Sequence, residues 1–479
     1  MLIQSFFSEN RRLVPMEVEL TLWPGLPCIQ FVGLPDQQIR ESALRIKSAI
    51  KAQGFQFPKA QQILVNLRPN TMKKSSQGLE LAVALAYLIE SGQIPVPSEE
   101  TLKNTFVYGS LTLAGEIRAP LDLPSLGKKM APGSQLITGL VEDPRSCPTM
   151  DYAGLPSLQS LNSNWNFRRP RNFPLFVRPP LDEEFRWTES EAHFLQLAAV
   201  GGHHALLAGP SGSGKSTMAK VIHQLLPMPA VEEEILPNEN FWRPLARPHH
   251  SVTLRGLIGG GADVQVGELT RASGGVLLLD ELLEFRSEAL ESLREPMESG
   301  EIHLSRGEVS RTLPTRFQLL ATTNLCPCGK WIPGVTRSYC RFTLSRCRSY
   351  GSRLSGPLLD RFQILHFVFA QWGSKMETRH VKTSRLVRRI EQATEMRLKR
   401  GQRLLNAHIG MEELRAHDQG IIVANLLPES LGSERRRLAT LRVARSLADL
   451  AGEVRIRPED LQKALHYTYN NFHSLGRWD

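Results

Sequence analysis

The sequence predicts an α/β protein organised around a parallel sheet, and two observations predict it. The first is Gly209-Pro-Ser-Gly-Ser-Gly-Lys-Ser216, which follows the apolar run Ala205-Leu-Leu-Ala208 and precedes a helix-like stretch. It fits G-x-x-x-x-G-K-[ST], in which glycines let the backbone curl until several N–H groups point at one anion. The helix that follows adds the positive end of its dipole. The second is Gly275-Val-Leu-Leu-Leu-Asp-Glu-Leu282, an apolar run ending in two adjacent carboxylates. Such a run suits a strand buried on both faces, as the strands of parallel sheets are.

Taken together, the two segments assign a nucleotide site to residues 185–372. Gly209, Pro210, Ser211, Gly212, Ser213 and Gly214 would wrap the phosphates, and Lys215 would reach the β- and γ-phosphates. Ser216 and Asp280 would hold Mg²⁺, and Glu281 is suited to polarise the attacking water. ATP and Mg²⁺ are the expected cofactors. A glycine-rich turn between strand and helix would explain the loop alone, but not the paired acid that follows it.

Two further pieces extend the site. Phe317-Gln-Leu-Leu-Ala-Thr-Thr-Asn324 is a second apolar strand with a polar tip, and Asn324 suits the positioning of water near the γ-phosphate. Ser355-Gly-Pro-Leu-Leu-Asp-Arg361-Phe362 ends in an arginine. An arginine that stabilises a transferring phosphate acts in cis or is supplied by a neighbour. Arg361 resembles the neighbour-supplied finger of AAA+ proteins, which requires a homo-oligomer. A surface Asp360–Arg361 pair is the competing reading.

At 479 residues the chain has room for two to four domains, with 41% hydrophobic and 22% charged residues, as in soluble globular proteins. It contains no 18-residue apolar stretch, so no membrane span is expected. The first residues, Met1-Leu-Ile-Gln-Ser-Phe-Phe7, lack the charged-then-apolar layout of a secretion signal, and a cytoplasmic location is expected. A net charge of +10 raises the expectation of a polyanionic partner such as DNA. Basic residues cluster at Arg168, Arg169, Arg171 and Arg178, and again at Arg385, Arg388, Arg389, Arg397, Lys399, Arg400 and Arg403. Each cluster is also readable as a solvated face.

Six cysteines are too few for a disulfide framework in a chain of this length. Cys326, Cys328, Cys340 and Cys347 nevertheless gather just after Asn324. They suit a tetrahedral structural Zn²⁺ site or four free thiols, and the spacing C-x-C…C-x₆-C does not choose between them.

Four regions are expected. Residues 1–162 form an α+β domain, with strands around Met16–Leu22 and Gln62–Leu67 and helices around Ile39–Ile50 and Gly78–Ile89. A Pro- and Arg-rich linker occupies 163–184, the ATPase core 185–372 and a helical lid 373–479, with Leu441–Leu450 its clearest helix. Between the two nucleotide motifs, Arg247-Pro-His-His-Ser251, Leu257-Ile-Gly-Gly-Gly261 and Gly267-Glu-Leu-Thr270 form an insert whose glycine-rich loops could enter a ring pore. Adjacent His249 and His250 read as structural or loop residues rather than metal ligands, because neighbours on a strand face opposite ways and shared ligation would need a turn there.

These residues resemble the ComM/YifB family of magnesium-chelatase-like AAA+ proteins. The resemblance runs through Gly201-Gly-His-His204, Arg247-Pro-His-His-Ser251, the Asp280-Glu281 strand, Asn324-Leu-Cys-Pro-Cys-Gly329 and Ser355–Arg361. In the N-terminal part it covers Pro24-Gly-Leu-Pro27, Phe31-Val-Gly-Leu-Pro-Asp36 and Val65-Asn-Leu-Arg-Pro69, which look like that family's Lon-protease-like (ribosomal S5-like) domain. Gln77 or Gly78 then stands where the Lon-type serine would sit, and Pro124 or Ser125 where the lysine would. The domain is therefore expected not to cleave peptides, with Ser75 or Ser76 and Lys73 or Lys74 as a weak alternative pair. Ser433-Glu-Arg435 resembles the family's second-sensor motif, which gives Arg435 a γ-phosphate role.

The resemblance implies a ring-forming, hexameric, ATP-driven DNA translocase or branch-migration helicase acting on branched or single-stranded DNA in recombination of transforming DNA. The alternatives are a protein-remodelling ATPase and a magnesium-chelatase-type motor. Three departures stand out. Cys340 is followed by Arg341-Phe342 instead of a second C-x-C, so Cys347 would have to substitute. No Gly-Gln entry motif is evident around Trp187-Thr-Glu-Ser-Glu191. The usual Tyr-His-Arg run reads Arg437-Leu-Ala439.

Overall fold

Alternation along residues 12–24 and 61–68 produces strands that bury one face. The computed structural model describes the chain apart from residues 10–11, 33–36, 69–77, 121–122, 124–132, 142–149, 163–164, 169–175, 182–184, 230–234, 236–241, 261–264, 307–308, 331–339, 369–379, 419–426, 429–430, 432 and 473–479. It divides into two units, Met1–Leu175 and Phe176–Asp479.

In the first unit, β1 (Leu2–Glu9) and β2 (Arg12–Pro24) pair antiparallel, with Leu2 opposite Glu19. β3 (Ile29–Val32) and helix α1 (Gln37–Ala52) precede β4 (Gln61–Arg68), which lies antiparallel to β2 and parallel to β3. Helix α2 (Leu79–Glu90) then leads to β5 (Thr105–Val107), β6 (Gln135–Gly139) and β7 (Asp151–Leu155), added in parallel beyond β1. The sheet order is β3-β4-β2-β1-β5-β6-β7. Val18, Ile63, Val65 and Leu67 point from it into one core with Leu81, Leu85 and Leu88 of α2.

Helix α2 is buried from Leu79 to Ile89, and that includes a carboxylate. Glu80 is tolerated there because it accepts hydrogen bonds from Ser42 Oγ (2.8 Å), Arg45 Nε (2.6 Å) and the Leu111 N–H (2.6 Å). Gly78, one of the two positions aligned with a Lon-type nucleophile, caps α2. A Cβ there would lie 2.2 Å from the Tyr108 ring, so no serine fits in this conformation. Gln77, Pro124, Ser125, Lys73, Lys74, Ser75 and Ser76 lie outside the described residues.

The second unit begins with α3 (Glu189–Gly201), started by a Thr188–Glu191 capping box and ended by Gly202 at φ 67°. The chain continues as β8 (Ala205–Ala208), α4 (Lys215–Leu225), β9 (Leu245–Ala246) and α5 (Leu254–Ile258), then a hairpin of β10 (Gly259–Gly260) and β11 (Gln265–Val266). Next come β12 (Val276–Leu279), α6 (Arg294–Ser299) and a second hairpin, β13 (Glu301–Arg306) with β14 (Val309–Pro314). β15 (Gln318–Thr323), α7 (Leu344–Gly351), β16 (Ile364–Phe367), α8 (Thr383–Lys399), α9 (Glu434–Ala451) and α10 (Pro458–Leu465) follow.

Strands β9-β12-β15-β8-β16 form one sheet in that order, every pair parallel. All residues of β8, β12 and β15 are buried, as expected of a parallel sheet covered on both faces.

Buried polar groups tie the C-terminal helices together and link α9 to the chain beside the sheet. Asp449 on α9 accepts two bonds from Arg400 (2.7 and 2.8 Å) and one from Asn406 (2.8 Å), and it pairs with the fully buried Arg445 (3.1 Å). His203 bridges Gln363 and Ser446, at 2.8 Å from each. Complete burial pushes its imidazole down to about 3, so it acts as a neutral connector. Part of the late basic run is consumed here. Arg397 is 2% exposed, and Arg400 is turned to Asp449, whereas Arg385, Arg388, Arg389 and Lys399 remain on the exposed side of the helix.

Candidate active site

The phosphate loop connects the end of β8 to α4, and its backbone explains its glycines. Gly212 and Gly214 have φ of 75° and 93°, a region costly for residues with a Cβ, and open space surrounds both. Conformation rather than crowding demands glycine there. Lys215 Nζ donates to the carbonyls of Gly209 (3.1 Å) and Pro210 (2.6 Å) and to Asn324 Oδ1 (3.1 Å). Burial lowers its pKa, while Asp280 and Glu281 oppose that shift.

Register brings the remaining groups to the same edge. β15 lies beside β8 and β12 beside β15, all parallel, so Asp280, Glu281 and Asn324 emerge at the same edge as the loop. Asp280 Oδ1 accepts from Ser216 Oγ (2.7 Å) and Thr322 Oγ1 (2.6 Å), and Oδ2 from Arg247 (2.7 Å). Partial burial would raise the Asp280 pKa, but the bonds from Thr322, Ser216 and Arg247 outweigh it and hold the carboxyl below its ordinary range. A serine hydroxyl and a carboxylate in contact are hard oxygen donors of the kind magnesium takes, so the pair fits that ion.

Glu281 is the only non-glycine residue at positive φ among the described residues, with φ 58° and ψ 55°. Left-handed backbone costs about 1–2 kcal/mol in such a residue, and such strain gathers at functional sites. The conformation is held by Thr322, whose hydroxyl accepts the Glu281 N–H (3.0 Å) while donating to Asp280. One hydroxyl therefore aims both acids. Thr322 and Arg247 were not assigned to the site from the sequence, although each sat within a segment singled out there.

Arg361 lies at the other end of the sheet. It precedes β16, whose first residue Ile364 pairs with Ala205 at the start of β8, whereas the phosphate loop follows Ala208 at its end. Four residues of parallel strand, roughly 13 Å, therefore separate Arg361 from the loop of its own chain. Its guanidinium donates to the Arg294 and Pro357 carbonyls and to Glu298 (3.0 Å). Asp360 pairs with Arg436 (3.2 Å) and Arg361 with Glu298, so the competing reading of an Asp360–Arg361 pair does not hold. Arg435 reaches the same Glu298 at 2.5 Å, so Arg361 and Arg435 share one carboxylate on α6. Arg436 is the structural member of that basic triplet, buried and bonded to the carbonyls of Leu359, Phe362 and Thr468.

Sγ atoms of Cys326, Cys340 and Cys347 all lie within 4.8 Å of one another, with Cys340–Cys347 at 3.6 Å, and Cys328 Sγ lies 2.8 Å from Cys326 and 3.5 Å from Cys340. Cys347 thus comes from α7 to complete the set. A tetrahedron with Zn–S of about 2.3 Å has edges of about 3.8 Å, close to two of these separations. The Cys326–Gly329 turn also braces the phosphate loop. The Ser211 N–H donates to the Gly329 carbonyl at 2.7 Å, and Gly329 sits at φ 67° with a hypothetical Cβ only 3.1 Å from Ser211 Cβ. His249 and His250 lie in a turn with ring centroids 3.9 Å apart, and no third metal-ligating side chain joins them among the described residues.

Comparison with known proteins agrees with this geometry. The profile for the magnesium chelatase subunit ChlI matches residues 184–376, that for subunit ChlI of Mg-chelatase 18–125, and that for the ChlI C-terminal part 380–468. The protein YifB of Salmonella typhimurium is 32% identical, over 95% of this chain and 94% of its own length. The competence protein ComM of Haemophilus influenzae is 30% identical over the same shares. The chain belongs to the ComM/YifB family. Its magnesium-chelatase-like AAA+ core implies an ATPase motor that uses ATP and Mg²⁺. Among the described residues no helix is long and apolar enough to cross a membrane.

Proposed function

We propose that the protein is a ring-forming, hexameric motor that couples ATP hydrolysis to movement along DNA. The observation that carries the oligomeric part is the position of Arg361. It is a strand's length from the phosphate loop of its own chain and on the same carboxylate as Arg435. Two arginines beyond reach of their own nucleotide suit a neighbour's, and a head-to-tail repeat of that contact closes a ring.

In this reading Lys215 and the loop amides bind the phosphates, Ser216 and Asp280 hold magnesium, and Glu281 takes a proton from water oriented by Asn324. The metal, when bound, would neutralise charge on the β- and γ-oxygens. Arg361 and Arg435, on leaving Glu298, would meet charge on the neighbour's γ-phosphate. The β10–β11 and β13–β14 hairpins are the elements suited to grip a threaded strand. The second grows directly from α6, which carries Glu298. DNA as that strand rests on the net charge of +10 and on the competence protein among the relatives.

Steady-state ATP turnover without DNA, and with single strands, duplex and a branched junction at two salt concentrations, tests the proposal. Stimulation by DNA that falls as salt rises supports it. Indifference to every DNA would favour a protein-remodelling motor.

The cysteine cluster is proposed to bind structural zinc. Metal analysis of the purified protein should find one zinc per chain, lost in Cys326→Ser/Cys340→Ser. Because the Cys326–Gly329 turn holds Ser211, that variant should also bind nucleotide about tenfold more weakly, as when a supporting shell around a site is loosened. Wild-type nucleotide affinity in a zinc-free variant would separate the turn from the phosphate loop.

A further inference from the structure

Arg247 follows the last residue of β9, and β9 lies beside the strand that ends in Asp280. Its guanidinium is 2.7 Å from Asp280 Oδ2, while Oδ1 of the same carboxylate takes the Ser216 and Thr322 hydroxyls. The serine and the aspartate suited to hold magnesium are thus bonded to each other, and a permanent cation caps them. Arginine cannot leave such a contact by losing its proton, so it can only move. A small divalent ion demands near-octahedral oxygen ligands, and a guanidinium on the same carboxylate competes with it both for the oxygen and by charge.

We propose that Arg247 is a resident counter-ion of the magnesium site, which occupies the Asp280 carboxylate between nucleotides and gives way as the metal–nucleotide complex enters. The inference rests on the ATPase reading and adds a positioning residue to it. Three observations support a side chain built to move. The Arg247 side chain is 46% exposed, against 25% for Asp280, so it can swing into solvent without opening the core. Pro248 follows it and restricts its backbone to extended conformations, which leaves the side-chain torsions as the hinge. Asp280 keeps two other donors, so its orientation survives the departure.

The test is equilibrium binding of a fluorescent non-hydrolysable ATP analogue to the full chain, titrated with Mg²⁺. Arg247→Gln removes the competing cation and should lower the Mg²⁺ concentration for half-maximal binding roughly three- to fivefold, the scale of a partly exposed ion pair. Arg247→Lys, which keeps the charge, should remain near wild type. An unchanged or raised Mg²⁺ requirement in Arg247→Gln, with wild-type binding intact, would overturn the counter-ion role. If the wild-type chain shows no magnesium-dependent nucleotide binding that Lys215→Ala abolishes, the ATPase reading itself falls, and this inference with it.

Discussion

Glu281→Gln is expected to stop ATP turnover while leaving nucleotide binding within a few-fold of wild type. A general base contributes about 10²–10⁴-fold to rate, and glutamine cannot accept the proton. The substitution is a clean one here because the strain at Glu281 resides in the backbone. Its φ of 58° and the bond from its N–H to Thr322 do not involve the carboxylate, and the side chain is exposed, so an amide of equal size causes no repacking. Binding should persist because Lys215, Ser216 and Asp280 are untouched. Steady-state turnover and analogue affinity, measured on the same preparation, check both halves. Activity within tenfold of wild type would remove Glu281 from the role of base.

Arg361→Ala should show a comparable loss, about 10³-fold or more, again with nucleotide affinity retained. What distinguishes it is its behaviour in mixtures. If Arg361 serves the neighbouring subunit, mixing Arg361→Ala with Lys215→Ala restores turnover above either variant alone, because some interfaces combine an intact loop with an intact arginine. If Arg361 acted on its own chain's nucleotide, no mixing ratio would recover activity. Glu298→Gln is the informative companion. It releases Arg361 and Arg435 together without deleting either, so turnover should survive in it.

Much of the nucleotide site is legible in the sequence because it is local. Gly209–Ser216 is a single loop whose glycines follow from backbone sterics, and Val276–Glu281 is one buried strand with its acids at the tip. Strand and helix positions in the first unit were equally local. The run read at Met16–Leu22 lies inside Arg12–Pro24, and the helix read at Ile39–Ile50 lies inside Gln37–Ala52. The β13–β14 hairpin was missed, although Ile302 and Leu304 alternate with polar residues before the Arg306-Gly-Glu308 turn signal.

Interactions between distant segments were not legible. Arg247 and Asp280 are thirty-three residues apart, and they meet because β9 happens to be the strand beside β12. Sequence shows a basic run at Arg385–Arg403 but not that Arg397 is buried and Arg400 is turned to Asp449, since helix orientation is set by what α8 packs against. The four thiols were legible as a group, but not that Cys347 Sγ comes within 3.6 Å of Cys340 Sγ.

The sequence by itself determined the chemistry available: a phosphate loop, a paired acid, an apolar strand ending in Asn324 and an unusual group of thiols. Those follow from short-range sterics and hydrophobic periodicity, which act within a few residues. Only the tertiary structure decided which groups share a site and which cannot. The parallel register of β8, β12, β15 and β16 gathers Lys215, Asp280, Glu281 and Asn324 at one edge and leaves Arg361 at the other. Strand order is settled by packing across the whole sheet, a sum of contacts that no local pattern encodes.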